Sequence, residues 1–382
     1  MKIMLIDAEH GSLLKTKGEL AELDPFLKIS PLTNARDALD LLARESHDVV
    51  ITDLLLPGLD GLALLERVRR LYPTVIRIIV NSNSDHTVMF AAMNVAHQIL
   101  QKPLNGPLLW SLISQTAAVS SLIRDDKMRA VVGGVSQLPP APRVYSELSG
   151  LLENPNCSID DVVKLIGRDP AIAGRLLRLA NSAFFSHREH SLDLRPSVVR
   201  LGFNTIRNLM LTVELFDQSS PFGKALGREL DLVQQNALLL AKTSEQLARS
   251  TTLTGDAFVT GLLADIGQIV LLMTRGYEWR DCRATARLYK RPLQELEETA
   301  FGVSHAEVGG YLLGMWGLPY SVVEAVTNHH HPERILAPIY SLSAITAIST
   351  AITDGLPIDE NWLFSLKVKT RVDMVRERIN AQ

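Results

Sequence analysis

Over the first third of the chain, short β-rich apolar runs alternate with stretches of helical periodicity. "KIMLI" precedes "LLKTKGELAEL", "LKIS" precedes "ARDALDLLARE", "DVVIT" precedes "GLALLERVRRL", "VIRIIV" precedes "HTVMFAAMNV" and "QILQ" precedes "GPLLWSLISQ". Short β-branched runs read as buried strands, and apolar positions recurring at i, i+3, i+4 and i+7 read as helices. Five such units predict an α/β domain over residues 1–120, doubly wound around a five-stranded parallel sheet. Sheets of this kind bind ligands at the carboxyl ends of their strands. The polar residues that fall there are Asp7 and Glu9 after the first strand, Asp53 at the end of the third, Asn81 and Ser82 after the fourth, and Lys102 after the fifth.

Residues 121–137 read as a linker, partly helical, closed by Pro139, Pro140 and Pro142. Beyond it nearly every segment has helical periodicity, so residues 138–352 are expected to form one all-α domain, with 353–382 as a C-terminal extension. No fixed-period repeat supports a solenoid.

A length of 382 residues agrees with two or three domains. Hydrophobic content of 46% against 21% charged residues supports folded cores throughout. The net charge of -3 argues against bulk attraction to DNA or anionic lipid. One stretch, Lys164 to Arg207, is locally basic. Within it Arg175 and Arg178, three apart on one helix face beside Phe184 and Phe185, form a candidate surface for an acidic partner or a nucleotide; the commoner reading is a solvated face. Cys157 and Cys282 show no CxxC spacing, which implies neither a disulfide framework nor a zinc site and fits a reducing cytoplasm. No apolar run approaches the ~18 residues of a membrane span and the amino terminus lacks a signal-peptide pattern, so a cytoplasmic protein without membrane insertion is expected.

The stretch "DVVITDLLLPGLDGLALL", with Asp53, Pro57 four residues on, and Asp60-Gly61, resembles the receiver domain of bacterial response regulators. The resemblance implies that Asp53 accepts a phosphoryl group, that Asp7 and Asp53 hold Mg2+, and that Lys102 pairs with the phosphate. A hard cation plus a fixed ammonium is what phosphoryl transfer needs to neutralise its charge. Three departures weaken the switch. Ala8 stands where a second acid is usual, with Glu9 one residue further; Asn81 replaces the usual Thr or Ser, with Ser82 one residue late; Ile99 replaces an aromatic. The domain is therefore expected to be either a phosphorylated receiver or a pseudo-receiver used for docking or homodimerisation.

The run from "LPPAPRVYSELSGLLENPNCSIDDVVKLIG" through "HAEVGGYLLGMWGLPYSVVEAVTNHHHPE" is similar to the HDOD domain, a relative of HD phosphohydrolases that generally serves as a non-catalytic signalling module. An HD phosphohydrolase, by that resemblance, needs an early histidine, a His-Asp pair and a distal aspartate, because a metal must be held by several ligands before it can activate water. Here Gln235 and Asn236 fall at the early histidine. The pair has become Ala264-Asp265 in "GLLADIGQ", and Ser343, Ala344 and Ile345 offer no distal carboxylate. Asp265, His305, His329, His330 and His331 survive as a remnant pocket. They read best as helix-terminus groups, with Asp265 bonded to a backbone or amide neighbour. The resemblances together imply a two-component, phosphorelay-type signalling protein that is not an enzyme. Its helical domain, without a cofactor, would bind and regulate another signalling protein; by family analogy that is a histidine kinase or an enzyme making or breaking cyclic dinucleotides. The alternative is a metal-dependent cyclic-dinucleotide or nucleotide phosphohydrolase using Asp265 and the nearby histidines.

Overall fold

The computed structural model describes residues 1–82, 86–120, 122–123, 125–135, 138, 142–154, 156–182, 192–211, 221–335 and 339–380. The chain divides into two compact units, the first built on Met1–Gln137 and the second on most of Leu138–Gln382.

The first unit is a parallel sheet in the order β2-β1-β3-β4-β5, with β1 Lys2–Ile6, β2 Lys28–Leu32, β3 Val49–Asp53, β4 Ile76–Asn81 and β5 Gln98–Gln101. The central strands β3 and β4 are buried at every position. That is why they read as continuous apolar runs rather than alternating ones. Strand β2 lies at an edge and contains Pro31, a residue that cannot donate to a ladder and is tolerated only there. Helices α1 His10–Leu23, α2 Ala35–Leu42, α3 Gly61–Leu71, α4 His86–Val95 and α5 Gly106–Ser120 connect and follow the strands. The Asp60 side chain caps α3 by accepting from the Ala63 N–H at 2.7 Å. Gly61 opens that helix against the end of β3, where an added Cβ would lie 2.2 Å from the Asp53 carbonyl oxygen.

The segment read as a partly helical linker holds α6, Asp126–Gly134, which belongs to the first unit. Arg77 on β4, only 2% exposed, clasps it. Its guanidinium donates to the Val95 carbonyl at 2.7 Å and to the Gly133 carbonyl at 2.8 Å, while its backbone N–H donates to His97 Nδ1 at 3.0 Å.

The second unit is helical: α7 Pro142–Glu153, α8 Ile159–Ile166, α9 Pro170–Asn181, α10 Leu194–Leu211, α11 Pro221–Ala248, α12 Thr254–Leu263, α13 Ile266–Tyr289, α14 Leu293–Phe301, α15 His305–Met315, α16 Tyr320–Asn328, α17 Leu342–Thr353, α18 Glu360–Ser365 and α19 Lys369–Asn380. Gly202 breaks α10 with φ 72°, dividing it where the sequence separates "RPSVVRLG" from "NTIRNL". The residues read as a C-terminal extension belong to this unit, and Arg371 on α19 donates to the Leu247 carbonyl at 2.8 Å.

The expectation that no run reaches the apolarity of a membrane span needs correction. A window within Thr254–Tyr289 has a mean hydropathy of 1.8, and 78% of it is buried inside the protein, so its apolarity is used in the helical core.

Two crossings at glycine set the geometry of that core. Gly261 meets the backbone of Leu240 and Ala241 on α11, and Gly267 meets that of α15. A Cβ on Gly267 would lie 1.9 Å from the His305 carbonyl oxygen and 2.7 Å from the Gly309 nitrogen. Backbone cannot yield as a flexible side chain can, so Gly267→Ala is expected to cost about 3 kcal/mol in denaturant unfolding. Gly150→Ala, in open space on α7, should be neutral or stabilise by up to about 1 kcal/mol.

Candidate functional site

At the carboxyl ends of the strands in the first unit, Asp7 and Asp53 are 5% and 8% exposed and converge on one ammonium. Lys102 Nζ lies 2.5 Å from Asp53 Oδ2 and 2.8 Å from Asp7 Oδ2. Asp7 also accepts from the Glu9 N–H at 2.9 Å and the Ser12 hydroxyl at 2.9 Å, and Asp53 Oδ1 accepts from the Leu55 N–H at 3.2 Å. Burial opposes the charge on Asp7, but Lys102 and these donors outweigh it and hold the carboxyl below its ordinary range. Burial likewise opposes the Lys102 charge, and Asp53 and Asp7 overrule it and push the ammonium up. Two carboxylates close enough to share one ammonium form the oxygen-rich set that Mg2+ takes together with water. Asn81 is buried beside them, whereas the Glu9 and Ser82 side chains are exposed. The sequence reading missed Ser12, which holds the second oxygen of Asp7.

In the second unit the Gly267 crossing brings the start of α13 against the start of α15, and with it Asp265 against His305. Ser304 opens α15 with Glu307 in a reciprocal cap: the Ser304 N–H donates to Glu307 Oε2 at 3.1 Å and the Glu307 N–H to Ser304 Oγ at 3.4 Å. Helix α16 ends with His329 as its C-cap and His330 next. Asp265 Oδ1 lies 3.2 Å from His305 Nε2 and 3.6 Å from His329 Nε2, and His305 Nε2 lies 3.0 Å from His330 Nε2. One ligand atom from each of these four side chains falls within 4.8 Å of every other.

Behind them sits a fully buried carboxylate, Glu297 on α14. It accepts from Trp279 Nε1 at 2.8 Å, from the His305 N–H at 2.8 Å and from His305 Nδ1 at 2.5 Å. Burial works against the His305 imidazolium, but Glu297 and Asp265 on either side prevail and push it up to about 10. Asp265 is held well below the carboxylate range: burial opposes, and His305 and His329 overcome it. His330 goes the other way, driven well down by burial and by the neighbouring imidazoles.

The cluster faces a cavity of about 620 Å³. Asp265, His305 and His330 line one side, Asn236 and Gln268 stand near them, and Arg283, Arg287, Lys290 and Arg291 supply a cationic wall. Gln268 Nε2 donates to Asp265 Oδ1 at 2.8 Å, which is the amide neighbour expected from the sequence. Three features of this site were not foreseen: Glu297 behind His305, the cationic wall, and Asp354 at the end of α17, which lines the cavity. Glu297 was legible in part, since with Leu293, Leu296 and Ala300 it falls on one stripe of α14.

Other expected residues lie elsewhere. Gln235 is exposed and does not line the cavity; Gln234 before it turns inward to donate to Asp169, and Asn236 after it reaches the cavity. Ser343 donates to Glu324 at 2.9 Å, and Ala344 and Ile345 are core. His331 pairs with Glu333 at 2.9 Å, away from the cluster. The candidate surface at Arg175 and Arg178 is corrected: they are 4% and 6% exposed, because α9 is buried on all sides. Phe184 and Phe185 lie outside the described residues.

An acidic pocket closed by one lysine at the strand ends of a doubly wound sheet precedes a helical unit with a histidine-rich cavity, and the domains that match these two units support a two-component-type signalling protein. The HDOD domain profile matches residues 138–332, about half of the chain, and the response regulator receiver domain profile matches residues 3–114. The chain belongs to the HDOD family and carries a receiver domain ahead of that module. An uncharacterised protein of Treponema pallidum is 28% identical over 234 residues, covering 59% of this chain and 44% of that protein, so the chain spans less than half of that relative's length. The transcriptional regulatory protein AfsQ1 of Streptomyces coelicolor is 26% identical over 160 residues, 39% of this chain and 70% of that one. Among solved structures, the MmoQ response regulator of Methylococcus capsulatus is 21% identical with a TM-score of 0.49, covering 63% of this chain and 98% of that chain.

A buried ion pair that loses one partner leaves the other uncompensated. Glu297→Ala is therefore expected to destabilise the second unit by about 3–5 kcal/mol. Exposed Glu295→Ala should stay within about 0.5 kcal/mol in the same denaturation experiment.

Proposed function

We propose that phosphorylation of Asp53 in the receiver unit controls a non-catalytic HDOD unit, which binds and regulates another signalling protein in the cytoplasm. The observation that carries this reading is the bridging of Asp53 and Asp7 by Lys102 Nζ at 2.5 and 2.8 Å. In the transfer, an Asp53 carboxylate oxygen forms a bond to phosphorus as the bond to the donor's leaving group breaks, and the leaving group departs with the electron pair. Asp7 and Asp53 would hold Mg2+, which supplies neutralising charge at the phosphoryl oxygens, and Lys102 supplies the fixed cation. With Ala8 in place of a second acid, the pocket has one carboxylate fewer with which to hold the metal.

A phosphoryl group on Asp53 adds roughly -1.5 to -2 of charge and competes with Asp7 for Lys102. Strand β4 ends at Asn81 beside this pocket, and Lys102 follows β5. The same two strands carry or flank Arg77 and His97, which clasp α6. A rearrangement of the strand ends would thus reach α6 through four residues of β4 and the hydrogen bond from Arg77 to the Gly133 carbonyl. The partner class, a histidine kinase or an enzyme of cyclic-dinucleotide turnover, follows family analogy. Arg175 and Arg178 are buried and are not part of the proposed partner surface.

Incubation of the full chain with Mg2+ and a small phosphodonor should add one phosphoryl group by intact mass, with none on Asp53→Ala and at least about tenfold less on Lys102→Ala. Capture from native lysate with phosphorylated wild type and Asp53→Ala should then differ in at least one signalling protein. An unmodified wild type, with identical capture by both forms, would make the first unit a docking pseudo-receiver.

A further inference from the structure

The four-residue cluster in the helical unit leaves two buried imidazole nitrogens, His329 Nε2 and His330 Nδ1, without a hydrogen-bond partner. His329 donates from Nδ1 to the Val326 carbonyl at 2.6 Å, so in the neutral ring Nε2 carries a lone pair. That lone pair is buried, has no hydrogen-bond partner, and faces the Asp265 carboxylate oxygen at 3.6 Å. His330 Nε2 stands 3.0 Å from a second imidazole nitrogen, and its own Nδ1 is buried without a partner. A proton on His305 Nε2 can satisfy Asp265 or His330, and it leaves the lone pair of a neutral His329 opposed to a carboxylate. A cation at the centre would take up all four lone pairs at once.

The spacing fits such a cation. Metal–ligand bonds of roughly 2.0–2.1 Å in a tetrahedron put neighbouring ligand atoms about 3.3 Å apart; three of the six edges here are 3.0, 3.2 and 3.6 Å, and all lie within 4.8 Å, so the longer edges would have to close on an ion. The outer shell fits for two of the three imidazoles, His330 Nδ1 being without a partner. Imidazole ligands of metals usually donate their other N–H to a carboxylate or carbonyl, and Glu297 and Val326 take those places for His305 and His329. Gln268 orients the Asp265 carboxylate. Three imidazoles and one carboxylate suit zinc and its first-row neighbours rather than magnesium or calcium.

The surroundings say what such an ion would meet. Asp265, His305 and His330 open onto the cavity of about 620 Å³, a size usual for small-molecule sites. Arg287 and Lys290 on its wall are exposed and have no acidic partner among the described residues, whereas Arg283 and Arg291 are paired with Glu229 and Glu295. We infer that Asp265, His305, His329 and His330 bind one divalent transition-metal ion, and that the ion together with Arg287 and Lys290 receives the phosphate of a small anionic ligand in the cavity. This goes beyond the receiver-controlled reading and holds whether or not Asp53 is phosphorylated.

The test is metal content and phosphate binding of the full untagged chain. After dialysis against Zn2+ and then metal-free buffer, elemental analysis should find one equivalent in wild type. Zinc affinity should fall at least about a hundredfold in His329→Gln, with the circular dichroism spectrum unchanged. Calorimetric titration with inorganic phosphate should show binding at least about tenfold tighter to the zinc-loaded chain than to the metal-free chain, and Arg287→Gln should remove most of that gain. Retention below a tenth of an equivalent by wild type, or equal retention by His329→Gln, overturns the metal site. Phosphate affinity indifferent to zinc overturns the anion site. If His329→Gln does not fold, the visible spectrum of the Co2+-loaded wild type decides: an intense four- or five-coordinate band supports the cluster, and its absence overturns it.

Discussion

The geometry of the helical unit depends on one buried carboxylate. A charge removed from water is tolerated only when its lone pairs are taken up, and Glu297, with no exposure, has donors for both of its oxygens. Those donors come from α13 and from the first residue of α15, so the side chain on α14 ties three helices together at one point. The Gly267 crossing makes the same demand in steric form, because only a residue without Cβ lets α13 approach α15 closely enough for Asp265 to reach His305. Charge pairing and backbone contact therefore fix the same few atoms. The cluster is rigid because two independent constraints converge on it.

The receiver pocket uses the same physics with the same signs. There a single cation, Lys102, sits between two carboxylates, and in the helical unit a single imidazole, His305, sits between Glu297 and Asp265. Each arrangement keeps charged groups out of water only while the intervening cation stays. The proposed phosphoryl group would compete for Lys102, and the proposed metal ion would compete with the proton on His305 Nε2. A signalling protein gains from such sites, since a small chemical change at the centre alters several hydrogen bonds at once.

The sheet was legible because its central strands are buried on both faces and so appear as unbroken apolar runs, and Asp53, Lys102 and Asp7 were legible because strand ends are fixed once the strands are placed. The helical site was less so, since a helix turns about 100° per residue and a site there depends on which residue of several faces inward. Gln234, Gln235 and Asn236 illustrate this: the first bonds Asp169, the second meets solvent and the third lines the cavity, although the sequence presents three adjacent amides. Arg175 and Arg178 were misread for a related reason. Cations three apart normally mark a solvated face, but α9 is enclosed on every side, which no local pattern reveals. The cationic wall was hidden because Arg283, Arg287, Lys290 and Arg291 lie at the far end of a long helix and its exit turn, and only the fold returns them to Asp265.

The stretch "GLLADIGQ" can now be read as structure. Ala264, where a metal-binding histidine would stand in a hydrolase, is fully buried core, while Asp265 is retained and oriented by Gln268 and by imidazoles from two other helices. With alanine at position 264 the aspartate is still held in a pocket, by groups from other helices. Catalytic zinc sites commonly use three protein ligands so that a water can occupy the fourth position. Asp265, His305, His329 and His330 make four, and the one approach left is from a cavity whose wall attracts anions. An ion held by those four would have no tetrahedral position left for a water, and a phosphate entering from the cavity would reach it only as a fifth ligand, beside Arg287 and Lys290.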